Sequence, residues 1–353
     1  MKRFNNIKFI LIVAILAALI LSACQYDLED AINDNFKQKG DLIVHFIDVG
    51  QGDSIFIQLP NGETSLIDGG TRASGENVVK YLKEQNVEKI DYLIATHPHE
   101  DHIGGLPKVV KNFEIGKIYM PDATANTNIF QELLKEIKSK EKKITIAKGG
   151  DIILNDSGIK YEILAPNGEK YGETNDYSIV AKLTYKDNSF LFTGDAEKIS
   201  ENEIIEKGYN LKSDVLKIGH HGGSTSTSDE FLLKVSPKYG VISLGKDNTY
   251  GHPHKETIQR LNEQNVTILR TDELGTIVMI SDGKNIAINK KIKEEKTKSE
   301  RPNIESYYIG NTNTKVYHSP DCNYLPKEEN QIILKSKKEA EDKGFRPHEK
   351  CIK

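Results

Sequence analysis

Thr96-His97-Pro98-His99-Glu100-Asp101-His102-Ile103-Gly104-Gly105 crowds three histidines and an aspartate into one short turn. The segment follows Tyr92-Leu93-Ile94-Ala95, an apolar run that reads as a buried strand, so its side chains leave the edge of a sheet. His97 and His99, two residues apart in an extended turn, can aim both imidazoles at one ion. Asp101 and His102 follow at a predicted helix start, where they face a second ion beside the first. Imidazole and carboxylate donors without thiolates suit Zn, Mn or Fe(II). A lone histidine is usually structural; this density and spacing predict a metal centre. Gly104-Gly105 lets backbone pack close to it.

On the N-terminal side, Leu42–Ile47, Ser54–Ile57 and Ser65–Ile67 read as strands. They are separated by the Gly50-Gln51-Gly52-Asp53 turn and by a hairpin turn at Pro60-Asn61-Gly62-Glu63. Asn77–Gln85 reads as a helix with Val78, Tyr81 and Leu82 on one face. Strands and helices alternate to about Ile288, which predicts a layered α/β domain over residues 41–289. Residues 290–303 interleave both charge signs and close on proline, the composition of a solvated linker. A small module over residues 304–353 follows.

The cluster resembles the H-x-H-x-D-H motif of the metallo-β-lactamase superfamily, and other elements match in order. The resemblance implies a four-layer αββα sandwich binding two divalent ions. It assigns His97, His99, Asp101, His102, Asp195 of Phe192-Thr193-Gly194-Asp195, and His221 of His220-His221-Gly222-Gly223-Ser224 as ligands, with Asp195 bridging both ions. Asp68 of Leu66-Ile67-Asp68-Gly69-Gly70 matches the aspartate that orients a ligand from behind. The superfamily commonly has a further histidine before Asp195, yet no histidine lies between His102 and His220. Asn175 or Asp176 stands where it would be expected. That departure, together with Phe46–Ser54, His220-His221-Gly222 and Asn248-Thr249-Tyr250-Gly251-His252-Pro253-His254, is similar to the hydrolase domain of ComEC-like DNA-uptake competence proteins. This resemblance implies phosphodiester cleavage, with DNA as the substrate and the ions activating a water for in-line attack. Asp101 and His252 are then the candidate catalytic groups. His252 donates to the phosphate or the leaving oxygen, while Ser224 and Lys246 are candidate substrate contacts. His220 is assigned to the surroundings of the ligands and His254 to the surface.

The ends set the compartment. Lys2, Arg3 and Lys8 precede an apolar run from Phe9 to Leu21, too short to span a bilayer comfortably, which reads as a signal-peptide core over residues 1–23. Leu21-Ser22-Ala23-Cys24 resembles a bacterial lipobox. It implies lipidation of Cys24, a tether to residue 40, and a protein held by that lipid at the outer face of the membrane. An uncleaved N-terminal anchor is the alternative. The chain carries 48 basic and 52 acidic residues, net −4. Removal of residues 1–23 leaves 45 basic against 52 acidic, net −7. Such a charge does not advertise nucleic-acid binding and suits an envelope substrate slightly better, for instance phosphocholine esters of teichoic acid. A non-catalytic binding lipoprotein is the third reading. Nothing in the sequence points to a partner protein.

In the tail, His318-Ser319-Pro320-Asp321-Cys322 and His348-Glu349-Lys350-Cys351 have spacings that can close one tetrahedral site. The pattern is similar to the metal-binding domain of the Ada DNA-repair protein, with His318 and His348 in place of two cysteines. The expectation is one structural Zn on His318, Cys322, His348 and Cys351, a Cys322–Cys351 disulfide being the alternative. Ser336–Glu341 reads as a short helix with a serine cap.

Overall fold

Short β-branched runs set off by glycine, proline and asparagine turns become the strands of two stacked sheets. The computed structural model describes residues 40–290, 307–319, 322, 324–327, 330–334 and 336–352. The expected signal peptide, Cys24, the expected tether up to residue 39 and the expected linker from residue 291 lie outside the described residues. Among the described residues, no helix is long and apolar enough to cross a membrane. The chain divides into two units, meeting between Lys291 and Ile292.

In the larger unit the chain lays down β1 (Leu42–Phe46), β2 (Ile55–Gln58), β3 (Thr64–Ile67), β4 (Lys89–Ile94), β5 (Glu114–Met120) and β6 (Ile144–Ile146). Then come β7 (Ile152–Asp156), β8 (Ile159–Ala165), β9 (Val180–Tyr185), β10 (Asn188–Phe192), β11 (Val215–Lys217), β12 (Tyr239–Ile242) and β13 (Thr267–Arg270). β14 (Ile277–Ser281) and β15 (Ile286–Ile288) return to the first sheet, whose order is β15-β14-β1-β2-β3-β4-β5-β6. The second runs β13-β12-β11-β10-β9-β8-β7.

The central strands β1, β2, β3, β9, β10, β11 and β12 are buried on both faces, and alternation along each decides which layer a side chain joins. Phe46, Ile55, Ile67 and Ile94 of one sheet share a core with Tyr161, Ala181, Phe190 and Phe192 of the other. The opposite face of the first sheet, including Phe56, Leu66 and Leu93, is covered by α1 (Gly75–Glu84), α3 (Leu106–Asn112) and α4 (Asn128–Ser139), with α2 (Glu100–Ile103) between α1 and α3 in sequence. α5 (Lys198–Glu206), α6 (Asp229–Val235) and α7 (Lys255–Glu263) cover Leu191, Leu216 and Ile242 of the second. The result is a four-layer αββα sandwich. α1 begins at Gly75, two residues ahead of the sequence expectation. It buries Val78, Val79 and Leu82, while the Tyr81 hydroxyl meets His45 Nδ1 at 2.8 Å.

Pairing direction places the functional loops. β3, β4, β5 and β6 run parallel, as do β10, β11, β12 and β13. In register, Ile67 lies beside Ile94 and Phe192 beside Lys217. The loops after β3, β4, β10 and β11 therefore leave neighbouring carboxyl ends, where open parallel sheets bind ligands.

The smaller unit is a four-stranded sheet built on Tyr308–Asn311, Val316–His318, Gln331–Leu334 and Arg346–Pro347. Its core is Tyr308, Tyr317, Leu334, Ala340 and Phe345. The helix Lys337–Asp342 is capped by Ser336, whose Oγ accepts from Glu339 N–H at 3.0 Å.

Candidate metal centre

Three imidazoles are held from behind so that their free atoms face inward. Asp68, just past β3 at φ 58°, accepts from Thr96 N–H at 2.8 Å and from Thr96 Oγ1 at 2.6 Å. Its Oδ2 also lies 2.8 Å from His102 Nδ1, which turns His102 Nε2 toward the cluster. His97 Nδ1 sits between Thr96 Oγ1 at 3.1 Å and Ser178 Oγ at 3.2 Å, leaving Nε2 3.0 Å from His99 Nδ1. His221 Nδ1 donates to the Ser243 carbonyl at 2.9 Å, so its Nε2 carries the free lone pair. Gly52 and Gly105 tighten the frame: a Cβ at Gly52 would overlap the Asp101 carbonyl oxygen, and one at Gly105 the Gly69 carbonyl oxygen.

Asp195 Oδ2 is the meeting point. It lies 3.1 Å from His102 Nε2, 3.5 Å from His221 Nε2 and 3.8 Å from His97 Nε2. Asp101 Oδ2 is 3.3 Å from His221 Nε2. Buried His102 Nε2, His221 Nε2 and Asp195 Oδ1 have no hydrogen-bond partner, a costly arrangement unless a cation uses them. Donor atoms of His97, His102 and Asp195 converge as one group, and those of Asp101, His102 and His221 as another. The residues fit two divalent ions sharing Asp195: Asp101, His102 and His221 on one side, His97 and the exposed His99 on the other.

Without a cation these groups settle their charge with protons. Burial works to raise the Asp195 carboxyl, but His102, His221 and His97 outweigh it and hold it well below the usual range. Burial would lower the two imidazoles facing the carboxylates; instead Asp195 and Asp68 lift His102 well above its usual value, and Asp195, Asp101 and Asp53 push His221 up to about 10. Burial and the neighbouring His102 depress His97. Divalent ions held here would take the place of the protons on His102 and His221.

The other predicted residues divide. His220 is half-buried, its Nε2 3.9 Å from Asp195 Oδ2 and its Nδ1 3.1 Å from Glu197 Oε1. Asn175 donates to Glu197 at 2.9 Å and lies 3.5 Å from His220 Nε2, with its own Oδ1 buried and unpartnered. Asn175 therefore lies beside the donor group. Asp176 does not: its carboxylate accepts from Ser200 N–H at 3.2 Å, anchoring α5. The alternation of a tight 3-10 turn sends consecutive side chains apart, which adjacency in sequence conceals. Ser224 contributes its backbone N–H to His254 Nδ1 at 3.0 Å, so His254 is a fastener of this rim. The His252 ring stands 5.4 Å from His220 and 6.3 Å from His221, with a buried Nδ1 that has no partner. Burial and the neighbouring His220, His221 and His254 lower it to about 4.

Sequence reasoning assigned no role to Lys217 and Asp53. Lys217, fully buried, pairs with Asp53 at 2.8 Å, and Asp53 Oδ1 lies 3.5 Å behind His221 Nδ1. Asp53 entered the sequence reading only as the end of the Gly50–Asp53 turn and part of the Phe46–Ser54 stretch, and Lys217 not at all. Thr96 and Ser178 were likewise silent.

Residues 47–246 match the metallo-beta-lactamase superfamily over more than half of the chain. This chain is a member of that superfamily. As a superfamily member with this donor set, it is a metal-dependent hydrolase. Its hydrolase unit is 33% identical over 251 residues to ComE operon protein 3 of Bacillus subtilis, covering 66% of this chain and 32% of that protein. It is 32% identical to competence protein ComA of Neisseria gonorrhoeae (65% and 31% covered) and 29% identical to recombination protein 2 of Haemophilus influenzae (66% and 28%). The chain thus spans about a third of the length of these relatives. Residues 294–352 match the metal-binding domain of Ada. There His318 Nδ1 lies 3.4 Å from Cys322 Sγ, and His348 Nδ1 3.6 Å from Cys322 Sγ and 3.2 Å from Cys351 Sγ. Both cysteines are unbridged, and the four donors form one tetrad of the His₂Cys₂ type that holds a structural zinc. The disulfide alternative is not adopted.

Proposed function

We propose that this protein is an exported, lipid-anchored phosphodiesterase that degrades nucleic acid, with DNA as its first substrate and Zn or Mn in the hydrolase site. The observation that carries the reading is the set of inward-facing, unpartnered donor atoms around Asp195. Two divalent ions held there would supply charge neutralisation at a phosphoryl group and a nucleophilic water at neutral pH. The protein's part is to hold that geometry: Asp68, Ser178 and Ser243 fix three imidazoles, and Asp195 touches both sides. His252, neutral at pH 7, keeps one N–H to donate to a phosphate or leaving oxygen.

Nucleic acid is favoured because the relatives sharing the unit are named for competence and recombination. The anchor rests on the positive, apolar, Leu21-Ser22-Ala23-Cys24 order at the N-terminus. The net charge of −4 favours envelope phosphodiesters as a second reading. Incubating metal-loaded protein with single- and double-stranded DNA, beside Asp101→Ala, tests the first. Cleavage lost in the variant supports it; intact DNA with a metal-replete protein sends the search to envelope polymers. Labelled fatty acid retained by Cys24→Ala would remove the anchor.

A further inference from the structure

From the metal centre a row of rings leads outward. The His221 ring lies 6.3 Å from His252 at an interplanar angle of 31°, and His252 lies 5.7 Å from Tyr250 at 23°. Tyr250 closes the row with 64% of its surface exposed. One face is turned to His252, and the side chain has no hydrogen-bond partner among the described residues. The loop beneath is fastened at several points. Asn248 Nδ2 donates to the carbonyls of Gly245 at 3.0 Å and His252 at 2.7 Å, and its Oδ1 accepts from His252 N–H at 3.0 Å. His254 Nε2 reaches the Tyr250 carbonyl at 3.3 Å, while its Nδ1 accepts from Ser224 N–H. A large aromatic ring is thus held in water, at a defined angle, next to the groups that would take a phosphate.

We infer that Tyr250 is a stacking platform for an unpaired nucleobase, seated beside the phosphodiester that the metal centre receives. The inference rests on the phosphodiesterase reading and adds a substrate class: single-stranded nucleic acid, or frayed ends of duplex. A planar, apolar base face is the ligand that a rigid exposed ring recognises without regard to sequence. Bases inside a duplex are already stacked and present no free face. A phosphocholine ester would instead present a quaternary ammonium, which is recognised by cages of several aromatic rings, whereas Tyr250 offers one exposed face. Immobilising the ring in advance lowers the entropic cost of ordering it on binding.

The test compares wild type, Tyr250→Ala, Tyr250→Phe and Tyr250→Trp on three substrates: a single-stranded oligonucleotide, the same length of abasic oligonucleotide, and blunt duplex. Tyr250→Ala is expected to lower kcat/KM on the single strand by roughly tenfold to a hundredfold, chiefly through KM. Abasic cleavage should stay at the wild-type rate, and Phe and Trp should restore most of the loss. Wild type should prefer the single strand to the duplex. Equal cleavage of the single strand by wild type and Tyr250→Ala overturns the platform. So does an equal loss on abasic and natural strands, which would mean that Tyr250 only props His252. If wild type cleaves none of the three, the phosphodiesterase reading itself fails on nucleic acid, an outcome separable from failure of the platform.

Discussion

Asp68 touches His102 and both hydrogen-bond donors of Thr96 from the buried side, and none of these contacts faces the open centre. Asp68→Asn keeps the shape but loses the charge that orients His102. Metal affinity should fall about 10- to 100-fold while the fold persists; unchanged ion stoichiometry in a chelator titration would refute the role. The Lys217–Asp53 pair makes the opposite kind of prediction. Both groups are fully buried, so Lys217→Met strands a carboxylate behind His221 and should cost about 3–5 kcal/mol in denaturant unfolding. Adding Asp53→Asn should return part of that loss. At this scale the ligands were legible because family motifs and dense histidine spacing name them. The residues behind them were not. Asp53 and Lys217 lie far apart in sequence and meet only because β11 and the turn before β2 end at the same edge. Nothing local in Val215-Leu216-Lys217-Ile218 says whether its lysine faces water or a carboxylate.

At the scale of elements, strand runs were readable from β-branched content, and the Pro60–Glu63 hairpin follows its turn residues, with Leu59 N–H donating to Glu63 O at 2.9 Å. The pairing of distant strands was not readable, since β14 joining β1 depends on the whole chain returning. The loop from Gly245 to His254 shows what an element without regular structure needs. Asn248 alone supplies three of its hydrogen bonds. Asn248→Ala should cost about 1–3 kcal/mol of local opening free energy. Amide exchange at His252 should accelerate while exchange in β10, β11 and β12 is unaltered, with a parallel fall in kcat/KM. Slow exchange at His252 in the variant would show that His254, through the Tyr250 carbonyl and the Ser224 N–H, suffices to hold the loop.

For the whole hydrolase unit, the centre couples metal, protons and stability. In the metal-free protein His221 is raised to about 10 and His102 also lies well above the ordinary histidine value. A group raised on folding contributes stability that is complete below its unfolded pKa, near 6.5, and is lost as pH rises through the folded value. The alkaline limb therefore belongs to His102 and His221. Their deprotonation leaves Asp101 and Asp195 facing each other without a cation, while Asp53 keeps Lys217. The depressed groups act at the other end. Asp195 and Asp53 contribute stability above the unfolded carboxylate value that is lost as acid drives pH through their lowered values. Depressed His97 and His252 cost stability as pH falls below about 6.5. Melting of the metal-free unit should thus fall steadily from pH 6.5 toward 10. Bound divalent ions need the same imidazoles deprotonated, so the metal-loaded unit should hold or gain stability over that window. The gap between the two melting curves should widen with pH and narrow again when His221→Ala removes an imidazole for which proton and ion compete. Parallel curves for the loaded and metal-free protein would show that the carboxylates around Asp195 are not what the cation stabilises.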